Sequence, residues 1–276
     1  KIAPDGILGF NIMVAMNHYE TYVRKAVETG ADFIVSGAGL PLELPAMVSD
    51  TDIAIAPIVS GARATALILK YWEKKYHRYP DFIVIEGPEA GGHLGFSRKQ
   101  LEEKMDYDME ISEILKLVRV YEKKAERKIP VAVGGGICDK ARAEHEFMLG
   151  ADLIQVASRF ITTKECDADS AYKDAYLKAR KEDIVLVSSP VGMPGRAIRN
   201  SFLEHVEKGE VQRPQKCFGC LKHCNPAEIP YCITEALIHA VKGDTENGLL
   251  FCGAQGFLAN QIETVQDVME DLLGGL

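Results

Sequence analysis

Along this chain, short runs of apolar and β-branched residues alternate with longer stretches whose apolar positions recur every three or four residues. The pattern predicts strands at 6–14, 32–36, 53–59, 81–86, 130–133 and 152–156, with helices at 19–29, 41–49, 62–77, 109–127, 140–149 and 168–180. Strands alternating with helices imply a parallel sheet joined by helical crossovers. The runs at 82–85 and 131–133 are apolar throughout, which suits strands covered on both faces.

An open doubly wound sheet and a closed (β/α)8 barrel both fit that rhythm, so the unusual residues decide between them. These fall at strand C-termini: Asn11, the run 36–39, the run from Glu86 to His93, the triplet Gly134, Gly135 and Gly136, and the pair Ser158 and Arg159. A barrel gathers many strand ends at one mouth, whereas an open sheet concentrates its site at one switch point. Five separate loops favour an α/β, TIM-like (β/α)8 barrel. Six strands are visible, and the natural place for two more is before Lys1.

The rhythm stops after Val187. Residues 1–187 are therefore expected to form the barrel, and 188–246, with four of the seven Cys, an inserted Cys-rich subdomain. Residues 247–276 are expected to return to the barrel and close on a final helix near 265–273.

Composition narrows the function classes. With 47% hydrophobic and 26% charged residues, the chain can bury a core and is not a disordered one. Forty acidic against 32 basic residues give a net charge of −8, which argues against nucleic acid or an anionic lipid surface as partner. No apolar run approaches the ~18 residues of a membrane span. An odd number of Cys in a chain of this size reads as thiols or metal ligands in a reducing compartment, so a cytoplasmic location is expected.

The strand at 130–133 ends in Gly134, Gly135 and Gly136 before a helix, a context in which backbone N–H groups turn toward an anion such as phosphate. One unit later, Ala157, Ser158 and Arg159 supply a hydroxyl and a guanidinium, and consecutive late strands form the recurring barrel phosphate site. The blander alternative is a tight turn, with Arg159 paired to a carboxylate. Between Glu86 and Gly95, the glycines Gly91, Gly92 and Gly95 surround His93. A neutral imidazole there can take or give a proton, although an isolated loop His is more often only hydrogen-bonded.

Together, Glu86 with Ala90-Gly91-Gly92-His93-Leu94-Gly95, Gly134-Gly135-Gly136-Ile137, Ala157-Ser158-Arg159-Phe160, Gly195-Arg196-Ala197-Ile198-Arg199-Asn200 and Cys252-Gly253-Ala254-Gln255 resemble the nitronate monooxygenase family. That family, also called 2-nitropropane dioxygenase, includes the flavin-dependent enoyl-ACP reductase of the second type. The resemblance runs from about Gly9 to the C-terminus. It implies a TIM-like barrel holding FMN, with the phosphate on Gly134, Gly135, Gly136, Ala157 and Ser158. It likewise implies that Asn11, Glu86, Gly91 and Gly92 approach the ribityl chain and ring, with His93 on the substrate side as the catalytic residue. The family's first strand ends in a Gly-Gly-Met type turn, and no such element precedes Gly6.

The implied activity is oxidation of alkyl nitronates with O2, on a small-molecule substrate; a homodimer is left open. An NAD(P)H-dependent enoyl-thioester reductase using FMN is the alternative, and a non-catalytic phosphate-ligand-binding barrel is a third reading. The Cys-rich insertion tilts the choice toward the smaller substrate. Its Cys217, Cys220, Cys224 and Cys232 have C-x2-C-x3-C-x7-C spacing, compatible with Zn2+ or an iron–sulfur cluster but also with thiols that merely pack a small subdomain.

Overall fold

The computed structural model describes residues 5–103, 105–214 and 216–274. Residues 1–4, 104, 215, 275 and 276, which the expected domains include, lie outside the described residues. Nine strands occur among those described: β1 (Gly9–Met13), β2 (Phe33–Gly37), β3 (Ala54–Val59), β4 (Ile83–Glu86), β5 (Gly92–His93), β6 (Val131–Gly134), β7 (Leu153–Gln155), β8 (Ile184–Ser188) and β9 (Pro194–Ile198). The α-helices are α1 (Tyr19–Glu28), α2 (Leu44–Met47), α3 (Ala62–Tyr76), α4 (Arg98–Glu102), α5 (Tyr107–Ala125), α6 (Lys140–Leu149), α7 (Ser158–Ile161), α8 (Ser170–Lys178), α9 (Ser201–Glu207), α10 (Ile233–Val241) and α11 (Val265–Leu273).

The chain folds into two compact units. The first takes residues 1–86, 106–133 and 149–153. It carries most of a six-stranded sheet in the order β1-β2-β3-β4-β6-β7, in which β1 to β4 pair in parallel. These are the six strands the periodicity predicts. Strand alternation sorts their side chains onto two faces. Ile12, Ile34, Ile55, Ile83 and Val131 join Val23 of α1, Ile68 and Trp72 of α3, and Ile114 and Val118 of α5 in one buried cluster. Smaller residues, Val35, Ala56, Val84 and Ala132, form a second cluster on the opposite face.

Register places the two candidate polar residues of this unit on that second face. Asn11 aligns with Val35, while Glu86 lies two residues beyond Val84. On the helical side the one polar strand residue, Ser36, is fully buried and fully bonded. Its Oγ donates to Ile12 O at 2.7 Å and accepts from Tyr19 Oη at 2.7 Å. Burial pushes the Tyr19 hydroxyl up to about 12, so it remains a donor.

The second unit takes residues 87–105, 134–148 and 154–276. Its organising element is an antiparallel sheet, β5-β9-β8, with Gly92 opposite Arg196, His93 opposite Gly195 and Val187 also opposite Gly195. β8 and β9 pair across the domain boundary expected at 187/188. Tyr176, Ile198, Leu250 and Cys252 form one core of this unit, and Ile137, Ala143, Val268 and Leu272 another. Among the described residues no helix is long and apolar enough to cross a membrane.

Candidate active site

In the first unit, Glu86 closes β4. Its backbone carbonyl accepts a hydrogen bond from Tyr107 Oη at 3.1 Å, and the same hydroxyl reaches Ser60 O at 3.0 Å. Burial alone pushes the Glu86 carboxyl up to about 7. Because the folded state holds this proton more tightly than the unfolded chain, the group's contribution to stability is complete below pH 4.5, its ordinary pKa, and is lost as pH rises through about 7. Glu86→Gln keeps the neutral shape. Its melting temperature should therefore exceed that of the wild type by a few degrees more near pH 8 than near pH 5; an offset independent of pH would refute the assignment. Asn11 is exposed on β1.

The second unit brings the other predicted residues together. The segment 87–93 is fixed by backbone contacts: Gly87 N donates to Gly134 O at 2.8 Å, Ala90 N to Gly87 O at 3.1 Å and Ala254 N to Glu89 O at 2.9 Å. The Arg196 guanidinium donates to Pro88 O at 2.7 Å and Ala90 O at 2.6 Å, so β9 clamps the loop that leads into β5. Gly91 is required by close approach, since a Cβ there would stand 2.5 Å from the carbonyl carbon of Cys252. Ser158 Oγ accepts from Gly253 N at 2.9 Å and keeps its own proton for another partner; Ala157, exposed, is the N-cap of α7.

Gly135 and Gly136 have φ of 110° and 75°, in the left-handed region open to glycine. The N–H groups of Gly135, Gly136 and Ile137 have no backbone acceptor among the described residues. Successive N–H groups in such a turn form a concave anion site, and this fits a phosphate. One neighbour restricts the fit: the Glu89 carboxylate lies against Gly136, within 2.0 Å of where a Cβ would be, and is held to Arg142 at 3.5 Å.

Arg159 is not part of this cradle. It is paired with Glu263 at 3.0 Å and Asp271 at 2.6 Å, and it also donates to Cys138 O. The blander alternative for that residue is the observed one.

His93 is half-buried on β5. Its Nε2 lies 2.7 Å from Ser189 Oγ, and its ring meets the edge of Phe251 at 5.0 Å between centroids. Burial pushes its pKa down to about 4, so the imidazole is neutral at physiological pH. Ser189 Oγ also accepts from Val191 N at 3.2 Å, and Tyr231 Oη donates to Ser188 O at 3.2 Å. Ser189 thus holds one His93 nitrogen, and in the neutral ring one of the two nitrogens is a proton acceptor. Ser189, Arg196 and Glu89 were not among the predicted site residues. Arg196 lies inside a motif visible in the sequence, but Ser189 carries no local signal.

Parallel strands running into glycine loops define an α/β protein of the TIM-barrel type, and its second unit carries an N–H nest and a neutral imidazole. The chain belongs to the nitronate monooxygenase family, whose model matches residues 1–275. A probable nitronate monooxygenase of Staphylococcus aureus strain Newman is 31% identical over 134 residues, which are 49% of this chain and 36% of that protein. The chain thus spans about a third of the length of that relative.

Among solved structures, FabK from Thermotoga maritima is similar with a TM-score of 0.75 and 24% identity, over 98% of this chain and 75% of that one. The nitroalkane oxidase of Streptomyces ansochromogenes gives 0.67 and 19%, over 92% and 67%. These likenesses establish the TIM-barrel-like fold predicted from the strand ends.

Proposed function

We propose that the chain acts as an FMN-dependent oxidoreductase that oxidises alkyl nitronates with O2. The observation that carries this reading is His93, a neutral imidazole whose Nε2 is held by Ser189, in the same unit as a glycine nest suited to one phosphate. Family membership supports it. Gly134, Gly135, Gly136 and Ser158 would hold the FMN phosphate, with Ala157 at the start of the same turn. Gly91 and Gly92 would border the ribityl chain and ring. Bound there, the flavin supplies the redox chemistry, taking electrons from the nitronate and passing them to O2.

The protein's own part is positional and protonic. Arg196 keeps the Gly-Gly-His segment in place by binding two of its carbonyls. Ser189 holds the His93 ring, whose unprotonated nitrogen can remove the α-proton of a neutral nitroalkane, yielding the nitronate and an imidazolium. Glu86, a carboxyl that is partly protonated near neutrality, can hold or return a proton at its own position. The seven unpaired thiols support a cytoplasmic setting.

The test is anaerobic mixing of the flavin-loaded protein with either an alkyl nitronate or NADH. Nitronate should bleach the flavin much faster than NADH does. Rapid reduction by NADH or NADPH, reoxidation by a crotonyl thioester and no response to nitronate would favour the reductase reading instead.

A further inference from the structure

Between α9 and α10 the described residues from Lys208 to Cys232 form no helix and no strand longer than an isolated bridge residue, among them Gln212 paired with Tyr231. Four of their side chains are thiols. Free Cys is ordinarily among the most buried residue types when its role is packing, and these are not buried as a group. Cys217 is exposed, Cys220 and Cys224 are half-buried, and only Cys232 is buried. All four are unpaired, so no disulfide among them cross-links the segment.

The backbone turns tightly around the first two of them. Gly219 adopts φ 59° and its N–H donates to Cys217 Sγ at 3.4 Å, which folds Cys217-Phe218-Gly219-Cys220 into a tight turn with a donor on sulfur. The Gln212–Tyr231 bridge, with Gln212 N donating to Pro230 O at 2.7 Å, holds the stretch that leads to Cys217 beside the one that leads to Cys232. Cys232 is the N-cap of α10, a nine-residue helix, and its side chain makes no capping hydrogen bond there. The segment 211–232 holds Arg213, Lys216 and Lys222 against Glu228, a net +2 (three basic less one acidic) in a chain of net −8. That local charge is the complement of the 2− carried by four thiolates around a divalent ion.

From this juxtaposition we propose that Cys217, Cys220, Cys224 and Cys232 together ligate one metal centre of four-thiolate type, either a zinc ion or a cubane iron–sulfur cluster. Four thiolates satisfy either centre completely and leave no open position, so the role is structural or electron-transferring and not Lewis-acid catalysis. Each thiol gives up its proton to solvent on ligation. Among the described residues no three such side chains already meet around one point. Closing the site therefore takes rotation of the Cys side chains. The centre would replace the hydrophobic core that this segment is too short to build.

The test uses the full chain, purified anaerobically, with zinc, iron and acid-labile sulfide measured per chain. One zinc, or four iron with four sulfide, is expected. Cys220→Ser and Cys224→Ser should each lose more than about nine-tenths of it, with Cys138→Ser and Cys166→Ser unchanged. Because the Ser variants can fail to fold, the wild type is also titrated with an organomercurial, which should release the metal in step with four thiols. Co2+ alone, added to demetallated protein, should give thiolate-to-cobalt charge-transfer absorption of a tetrahedral site. Folded protein with neither metal nor a cobalt spectrum, metal retained in both Ser variants, or a disulfide among the four in freshly prepared protein would each overturn the proposal. None of these readouts depends on flavin or turnover.

Discussion

Gly135→Val should leave the protein without flavin: content near one FMN per chain falls below a tenth, and affinity drops by ~100-fold or more, about 3 kcal/mol. The glycine sits at φ 110°, where a β-branched residue is strained. A Cβ there would also approach Ala90 N at 3.0 Å and Gly87 O at 3.2 Å, backbone atoms that cannot rotate away. The segment 87–90 would have to move, and with it the Pro88 and Ala90 carbonyls on which Arg196 is seated. Gly209→Ala is the control. It also has positive φ but nothing within 4 Å, so it should retain flavin despite comparable backbone strain. Absorbance per chain after gel filtration, with near-ultraviolet circular dichroism to report folding, decides the matter. Unchanged FMN in folded Gly135→Val, or release of FAD on denaturing the wild type, would contradict the cradle.

His93→Asn has the second large effect, on rate and not on cofactor. Flavin content should stay near that of the wild type, because His93 lies on β5 and not in the glycine nest. Turnover of neutral nitroalkanes should fall by ~10²–10⁴-fold, the usual worth of a positioned base, while pre-formed nitronates, which need no α-proton removed, should lose far less. The pH profile supplies an independent check. With its pKa pushed down to about 4, His93 is already in its base form above pH 5, so kcat/KM for a nitroalkane should lose its acid limb only near pH 4 and not near the ordinary 6.5. Equal losses on both substrates would make His93 a positioning residue, and no loss on either would remove it from the reaction.

The parallel strands were legible because each is a local event: a mostly apolar run bounded by turn residues, largely buried on both faces in β2, β3, β4 and β6. Predicted and observed strands agree to within a few residues at each end, and α6 and α11 match their predicted spans. The β5-β9-β8 sheet was not legible. β5 is only Gly92 and His93, too short for any periodicity, and β9 opens with Pro194 and Gly195, residues that ordinarily argue against a strand.

Pairing partners far away in sequence account for the rest. That Gly91 is a glycine is plain, but its reason, the Cys252 backbone, is not. Arg159 looked available because Glu263 and Asp271 lie 104 and 112 residues further on. Asn11 and Glu86 were placed by resemblance, and strand register now shows that they share a sheet face.

The wide sequence separation inside the second unit also sets an order of events at the ribosome. His93 and its Ser189 partner are 96 residues apart, as Ser158 and Gly253 are 95 apart. At ~5–20 residues per second, translation leaves the Gly-Gly-His segment without its sheet neighbour for about 5–20 s. The segment that orders Glu89 and Ser158 arrives later still, near the end of the chain. If FMN is held as proposed, its loading waits for Gly253, and nascent chains stalled before residue 250 should emerge with helices and parallel strands but without flavin.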